Sequence, residues 1–203
     1  MNSTFFFNAL TSYFVVIDPI GCALIFYSLT LGQSTKLKAK TMATAMCIGF
    51  GIILMFALFG ETLLTALGIE MDALRIAGGI LLFNTAFRMI TTEPTHEQPH
   101  DVRIGHITVY PLAIPLMAGP GTLTLTVLLM AGAPTVVDQV MVIVAALITL
   151  TVTLLLALIS SQLRKWLGKT GDEIIQRLLG VLLAALAIQF VANGISGLFL
   201  SGA

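Results

Sequence analysis

The chain has 203 residues, 57% of them hydrophobic and only 10% charged, with no formal net charge and a mean hydropathy of +1.00. Soluble domains carry about 25% charged residues, so this composition excludes a water-soluble globular domain and implies an integral membrane protein. Its lysines and arginines are spread among loops, and no patch combines them with aromatic side chains, which argues against a nucleic-acid partner.

The N-terminal Met1-Asn-Ser-Thr-Phe-Phe-Phe lacks a basic segment, and no small-residue cleavage site follows. The first apolar run is therefore expected to stay as a span rather than leave as a signal peptide. A spanning helix needs roughly 20 apolar residues, and six runs qualify: Thr4 to Leu31, Ala39 to Leu67, Asp72 to Thr91, Ile107 to Ala131, Val136 to Leu163 and Glu173 to Leu200. They are too long and too continuously apolar for strands, so the expected fold is all-α. Cys22 and Cys47 lie inside such runs and read as small packing residues rather than a disulfide.

In the first run, Asp18-Pro19-Ile20-Gly21 interrupts the helix. Aspartate is a favoured N-cap and proline a favoured first helical residue, so a second half-helix is expected to begin there. The fourth run carries Pro111-Leu-Ala-Ile-Pro115-Leu-Met-Ala-Gly119-Pro120-Gly121, whose prolines and glycines are incompatible with regular helix. At about 1.5 Å per residue both breaks fall near mid-membrane. Unwound backbone is tolerated there only where protein or a water-lined cavity surrounds it. The two breaks are accordingly expected to face each other and form a substrate site.

The two ends differ in charge. Asp18 would attract a cationic group, whereas the backbone N–H groups from Gly121 to Leu123 would attract an anionic one. A small zwitterion such as a free amino acid has both. Candidate substrate-binding residues are Asp18, Pro19, Gly21, Cys22, Gly119, Pro120, Gly121 and Thr122, joined by Asn84 of the third run and Gln189 of the sixth. A plainer reading of Asp18 is that it only caps its half-helix; for Asn84 and Gln189, interhelical hydrogen bonding competes with cavity lining. Protonation of Asp18 offers a route to proton or cation coupling. Gly49, Gly51, Gly78, Gly79, Gly180 and Ala184 are expected to let helices approach closely.

An internal echo links the halves. Arg75-Ile-Ala-Gly78 matches Arg177-Leu-Leu-Gly180 at an offset of 102, and Pro19 matches Pro120 at 101. A duplicated three-span unit must insert its second copy inverted, and such repeats with paired broken helices are a transporter design. The expected organisation is a first repeat over 1–91, a polar linker over 92–106 and a second repeat over 107–203. Of the ten Lys and Arg residues, all but Arg75 fall on one side: Lys36, Lys38, Lys40, Arg88, Arg103, Arg164, Lys165, Lys169 and Arg177. By the positive-inside rule the linker is cytoplasmic and both termini are periplasmic, with Trp166 as an interfacial anchor.

Two further patterns are set aside. His96-Glu97-Gln98-Pro99-His100 mimics a zinc-protease signature, but Pro99 inside the turn opposes the required helix and no third ligand is evident, so neither a metal nor an intramembrane metalloprotease is expected. Gly168-Lys169-Thr170 lacks the earlier glycine of a phosphate loop, Leu163 standing there instead. No organic cofactor and no enzymatic activity are expected.

With these motifs in place the chain resembles the MarC family of bacterial inner-membrane proteins, described as related to neutral amino-acid transporters. The fourth-run motif is the most specific match, supported by Asp18-Pro19-Ile20-Gly21, Ile25-Phe26, Gly78-Gly79, Gln189-Phe190 and Asn193-Gly194-Ile195. The resemblance implies six spans and, for some members, transport of small neutral amino acids. The family pattern has asparagine and proline where Cys22 and Leu24 stand here, which would alter specificity if that asparagine holds substrate. Efflux of other small molecules and a non-transporting membrane scaffold are the alternatives, and association of copies within the bilayer is compatible with each.

Overall fold

The computed structural model describes residues 2–30, 33–91, 113 and 117–200, and these are all-helical. In chain order the helices are α1 (Asn2–Ile17), α2 (Pro19–Leu29), α3 (Thr35–Ala66), α4 (Met71–Thr91), α5 (Pro120–Ala131), α6 (Val136–Leu158) and α7 (Ser160–Leu200). Five stretches among the described residues are long and apolar enough to cross a membrane: Thr4–Tyr27, which includes the Asp18 break, then α3, α4, α6 and Arg177–Phe199 within α7. α5 is apolar but only 12 residues long. The linker 92–106, with its three histidines, lies outside the described residues, as does most of the segment leading into α5.

Local chemistry sets the ends. Ser34 caps α3 by accepting from Leu37 N–H, and Thr135 caps α6 by accepting from Asp138 N–H, each filling one of the orphan donors of a first turn. Gly68, at φ 68°, closes α3 in the left-handed region that glycine adopts without strain. α3 begins at Thr35, four residues before the expected run, and a larger departure follows the fifth span. The fifth span stops at Leu158 rather than Leu163, and the polar stretch after it is helical, because Ser160 to Glu173 offers good helix formers (Gln, Leu, Arg, Lys) that two glycines do not outweigh.

Burial separates a centre from a rim. Half of the most apolar window in Thr4–Tyr27 is buried, against 22% in α4 and in Arg177–Phe199, so the broken helix is central and α4 and α7 are peripheral. The main core joins Tyr13, Ile17 and Phe26 to Met42 and Ile53 of α3, Met117, Leu125 of α5, and Val142 and Leu150 of α6. A smaller cluster, Leu82 and Ala86 with Leu183 and Ala187, lies between α4 and α7.

Small residues permit these approaches. A methyl at Gly49 would lie 3.1 Å from Met117 Cβ, and one at Gly78 would strike Thr124. Gly79 faces the Ala187 carbonyl and Val191, while Gly180 faces the Ala86 carbonyl and Ile90. Gly51 does not belong with them: nothing lies near it and it is exposed, since it sits on the outward side of α3.

Candidate functional site

The first break turns on one residue. Asp18 takes φ 49° and ψ 73°, the only positive φ outside glycine among the described residues. Aspartate tolerates this region because its short polar side chain can bond locally. Asp18 N–H still donates to Phe14 O at 3.1 Å, and its own carbonyl accepts from Cys22 N–H at 2.9 Å. The side chain accepts from Gly21 N–H at 3.0 Å, so the expected cap is present. A Cβ on Gly21 would run into that carboxylate, lying 2.9 Å from its Cγ. Asp-Pro-x-Gly is thus one device: a cap, a residue with no donor to satisfy, and a third helical position bare enough for the cap to reach.

The carbonyls left behind meet different fates. Cys22 Sγ donates to Ile17 O at 3.1 Å. Pro19 has no N–H to offer Val15 O, the carbonyl one turn back.

The second break is built differently. Ala118 N–H donates to Ala113 O, five residues earlier in the sequence, at 2.9 Å. Gly119, at φ −75° and ψ 167°, is extended and offers no side-chain cap, and Pro120 opens α5. Leu123 N–H is taken by Gly119 O at 3.0 Å, which narrows the expected donor set to Gly121 and Thr122.

Packing brings the breaks together. Gly121 lies against Leu82 of α4 and Val16 of α1, and Ile17, Cys22, Met117 and Ala118 share one core cluster. Tyr13 and Thr126 meet at 2.8 Å in a buried hydrogen bond. Because Thr126 already donates to Thr122 O, also at 2.8 Å, Tyr13 O–H is the donor. α1 and α5 therefore run antiparallel, Val16 level with Gly121 and Tyr13 level with Thr126. Neither Tyr13 nor Thr126 is among the residues the sequence singles out; the alternating Thr122, Thr124 and Thr126 in an apolar helix are the available signal.

Of the expected residues, Pro19, Gly21, Cys22, Gly119 and Thr122 are buried, Asp18 and Gly121 are half-buried and Pro120 is exposed. Asn84 and Gln189 stand apart, exposed on α4 and α7, with Gln189 Nε2 donating to Asn193 Oδ1 at 2.7 Å. Among the described residues no cluster of three His, Cys, Asp or Glu side chains could hold a metal ion.

Long apolar helices around a polar break in the central one define a multi-pass integral membrane protein. Comparison with known proteins then gives the family. The model of the MarC family integral membrane proteins matches residues 3–199, and the chain belongs to that family. It is 35% identical to UPF0056 membrane protein MJ1677 of Methanocaldococcus jannaschii, over 98% of this chain and 100% of the relative. UPF0056 membrane protein YvbG of Bacillus subtilis is 32% identical, over 98% of each chain. UPF0056 membrane protein YhcE of Escherichia coli is 34% identical, over 96% of this chain and 93% of its own. No solved structure matches the chain.

Proposed function

We propose that this protein is a secondary transporter of small neutral amino acids or similar small metabolites, built as two inverted three-span repeats. One observation carries the reading: a helix break capped by a carboxylate and a second break with uncapped N–H donors meet through the contact of Val16 with Gly121. A substrate ammonium would lie toward Asp18, and a substrate carboxylate on the N–H groups of Gly121 and Thr122. Protonation of Asp18, or a cation held beside it, would couple movement to an ion gradient.

The close contacts of α4 and α7 support the duplication. Gly79 with Ala187 and Val191 repeats as Gly180 with Ala86 and Ile90, each residue exchanged for the one 101 positions away, the offset that also relates Pro19 to Pro120, so that Gly79 rather than the Gly78 of the 102-residue sequence match corresponds to Gly180. Reciprocity of this kind is what a two-fold axis in the membrane plane produces. On this reading the linker is cytoplasmic, the termini are periplasmic and the membrane is the bacterial inner membrane.

The test is a thermal-shift screen of the purified protein against the proteinogenic amino acids, followed by flux into liposomes for each hit. Stabilisation by a zwitterion, lost with its carboxylate or ammonium blocked and lost in Asp18→Asn, is expected. No shift and no flux with any amino acid would overturn the substrate assignment.

A further inference from the structure

Three amides stand where hydrocarbon chains would meet them. Gln189 and Asn193 are exposed on α7, and Asn84 is exposed on α4. Within the Arg177–Phe199 span Gln189 lies one residue from the centre, about 1.5 Å in depth, and Asn84 is about 4.5 Å from the centre of α4. Asn193 is one turn from Gln189. The bond from Gln189 Nε2 to Asn193 Oδ1 uses one donor and one acceptor. Among the described residues nothing takes up Gln189 Oε1 or the Asn193 amide hydrogens. A lipid tail offers them no partner, and polar groups unpaired in hydrocarbon are strongly disfavoured.

We infer that the exposed side of α7 is an interface between two copies of this chain in the bilayer, joined by hydrogen bonds between their Gln189 and Asn193 side chains. The choice of a second copy follows from depth and chemistry. Copies inserted in the same orientation are related by rotation about the membrane normal, which leaves each residue at its own level. Gln189 of one copy therefore lies level with Gln189 of the other. The groups left over, an acceptor on Gln189 and donors on Asn193, are self-complementary, as a two-fold contact requires. Ala185, Ala192 and Ser196 are exposed on the same stripe and admit a second helix closely, while Leu182 and Ile188 flank it. The inference does not depend on transport.

The experiment uses the full chain in liposomes. Cys22 and Cys47 are replaced by alanine, and single cysteines are placed at Ala192→Cys, which leaves both amides in place, and, for comparison, at Leu147→Cys, an exposed position on α6. Mild oxidation is expected to give a disulfide-linked dimer from the first and not from the second. In parallel, energy transfer between labelled copies is followed as lipid is added. The double variant Gln189→Leu with Asn193→Leu, which makes the face more lipophilic, is expected to raise the dissociation constant about tenfold or more. Equal cross-linking at both positions, a monomer at every dilution, or a dimer that the double variant leaves unweakened would each overturn the proposal.

Discussion

Both central breaks place a proline at the first position of a half-helix, yet they differ in the backbone before it and in the charge they present. At Asp18 the chain turns through the left-handed region and the carboxylate folds back onto Gly21 N–H, giving a capped, negative end. At Gly119 the chain arrives extended, no side chain caps it, and the first N–H groups of α5 keep the positive end of the dipole bare. Proline fixes where each half-helix starts; the residue before it decides what the end can bind. Neither kind of end alone would suit a ligand with both charges.

The largest effect expected from breaking this contrast is at Asp18 itself. Asp18→Ala loses the cap, about 1 kcal/mol, and puts alanine in the left-handed region for about 1–2 kcal/mol more. Asp18→Asn keeps both features and is expected to unfold within about 0.5 kcal/mol of the parent. Equal destabilisation by the two variants, measured by thermal or denaturant unfolding in detergent, would dismiss the account of the turn.

Next is Gly121→Ala, whose methyl would sit 2.9 Å from Leu82 Cγ where the breaks meet. Overpacking there is expected to destabilise by about 1–3 kcal/mol. Smaller again is Gly21→Ala, about 1 kcal/mol from an expelled cap. Its signature is non-additivity: the Asp18→Ala, Gly21→Ala double variant should be no less stable than Asp18→Ala alone. Smallest is Tyr13→Phe. It removes the 2.8 Å bond but leaves Thr126 donating to Thr122, so about 0.6 kcal/mol is expected, in the same unfolding assay.

A contrast of another kind separates the central helices from the α4/α7 pair. Around the breaks, hydroxyls turn inward: Thr122, Thr124 and Thr126 are buried, as are Thr149 and Thr153 of α6, each of the latter donating to a carbonyl one turn back. On α4 and α7 the amides turn outward. Asn84 and Gln189 look alike in sequence to cavity-lining groups, because helical periodicity says which residues share a face and not which face meets the bundle.

The sequence by itself determined the membrane class, the all-helical fold, and the place and chemistry of the Asp18 break, because hydropathy, capping and proline geometry act over a few residues and need no partner. Only the tertiary structure decided that Val16 meets Gly121, that Tyr13 reaches Thr126, that Gly51 packs against nothing, and that Gln189 faces outward. Each of those depends on how one helix is rotated against another. That rotation is set by the fit of small and large side chains across the whole bundle, so no local pattern encodes it.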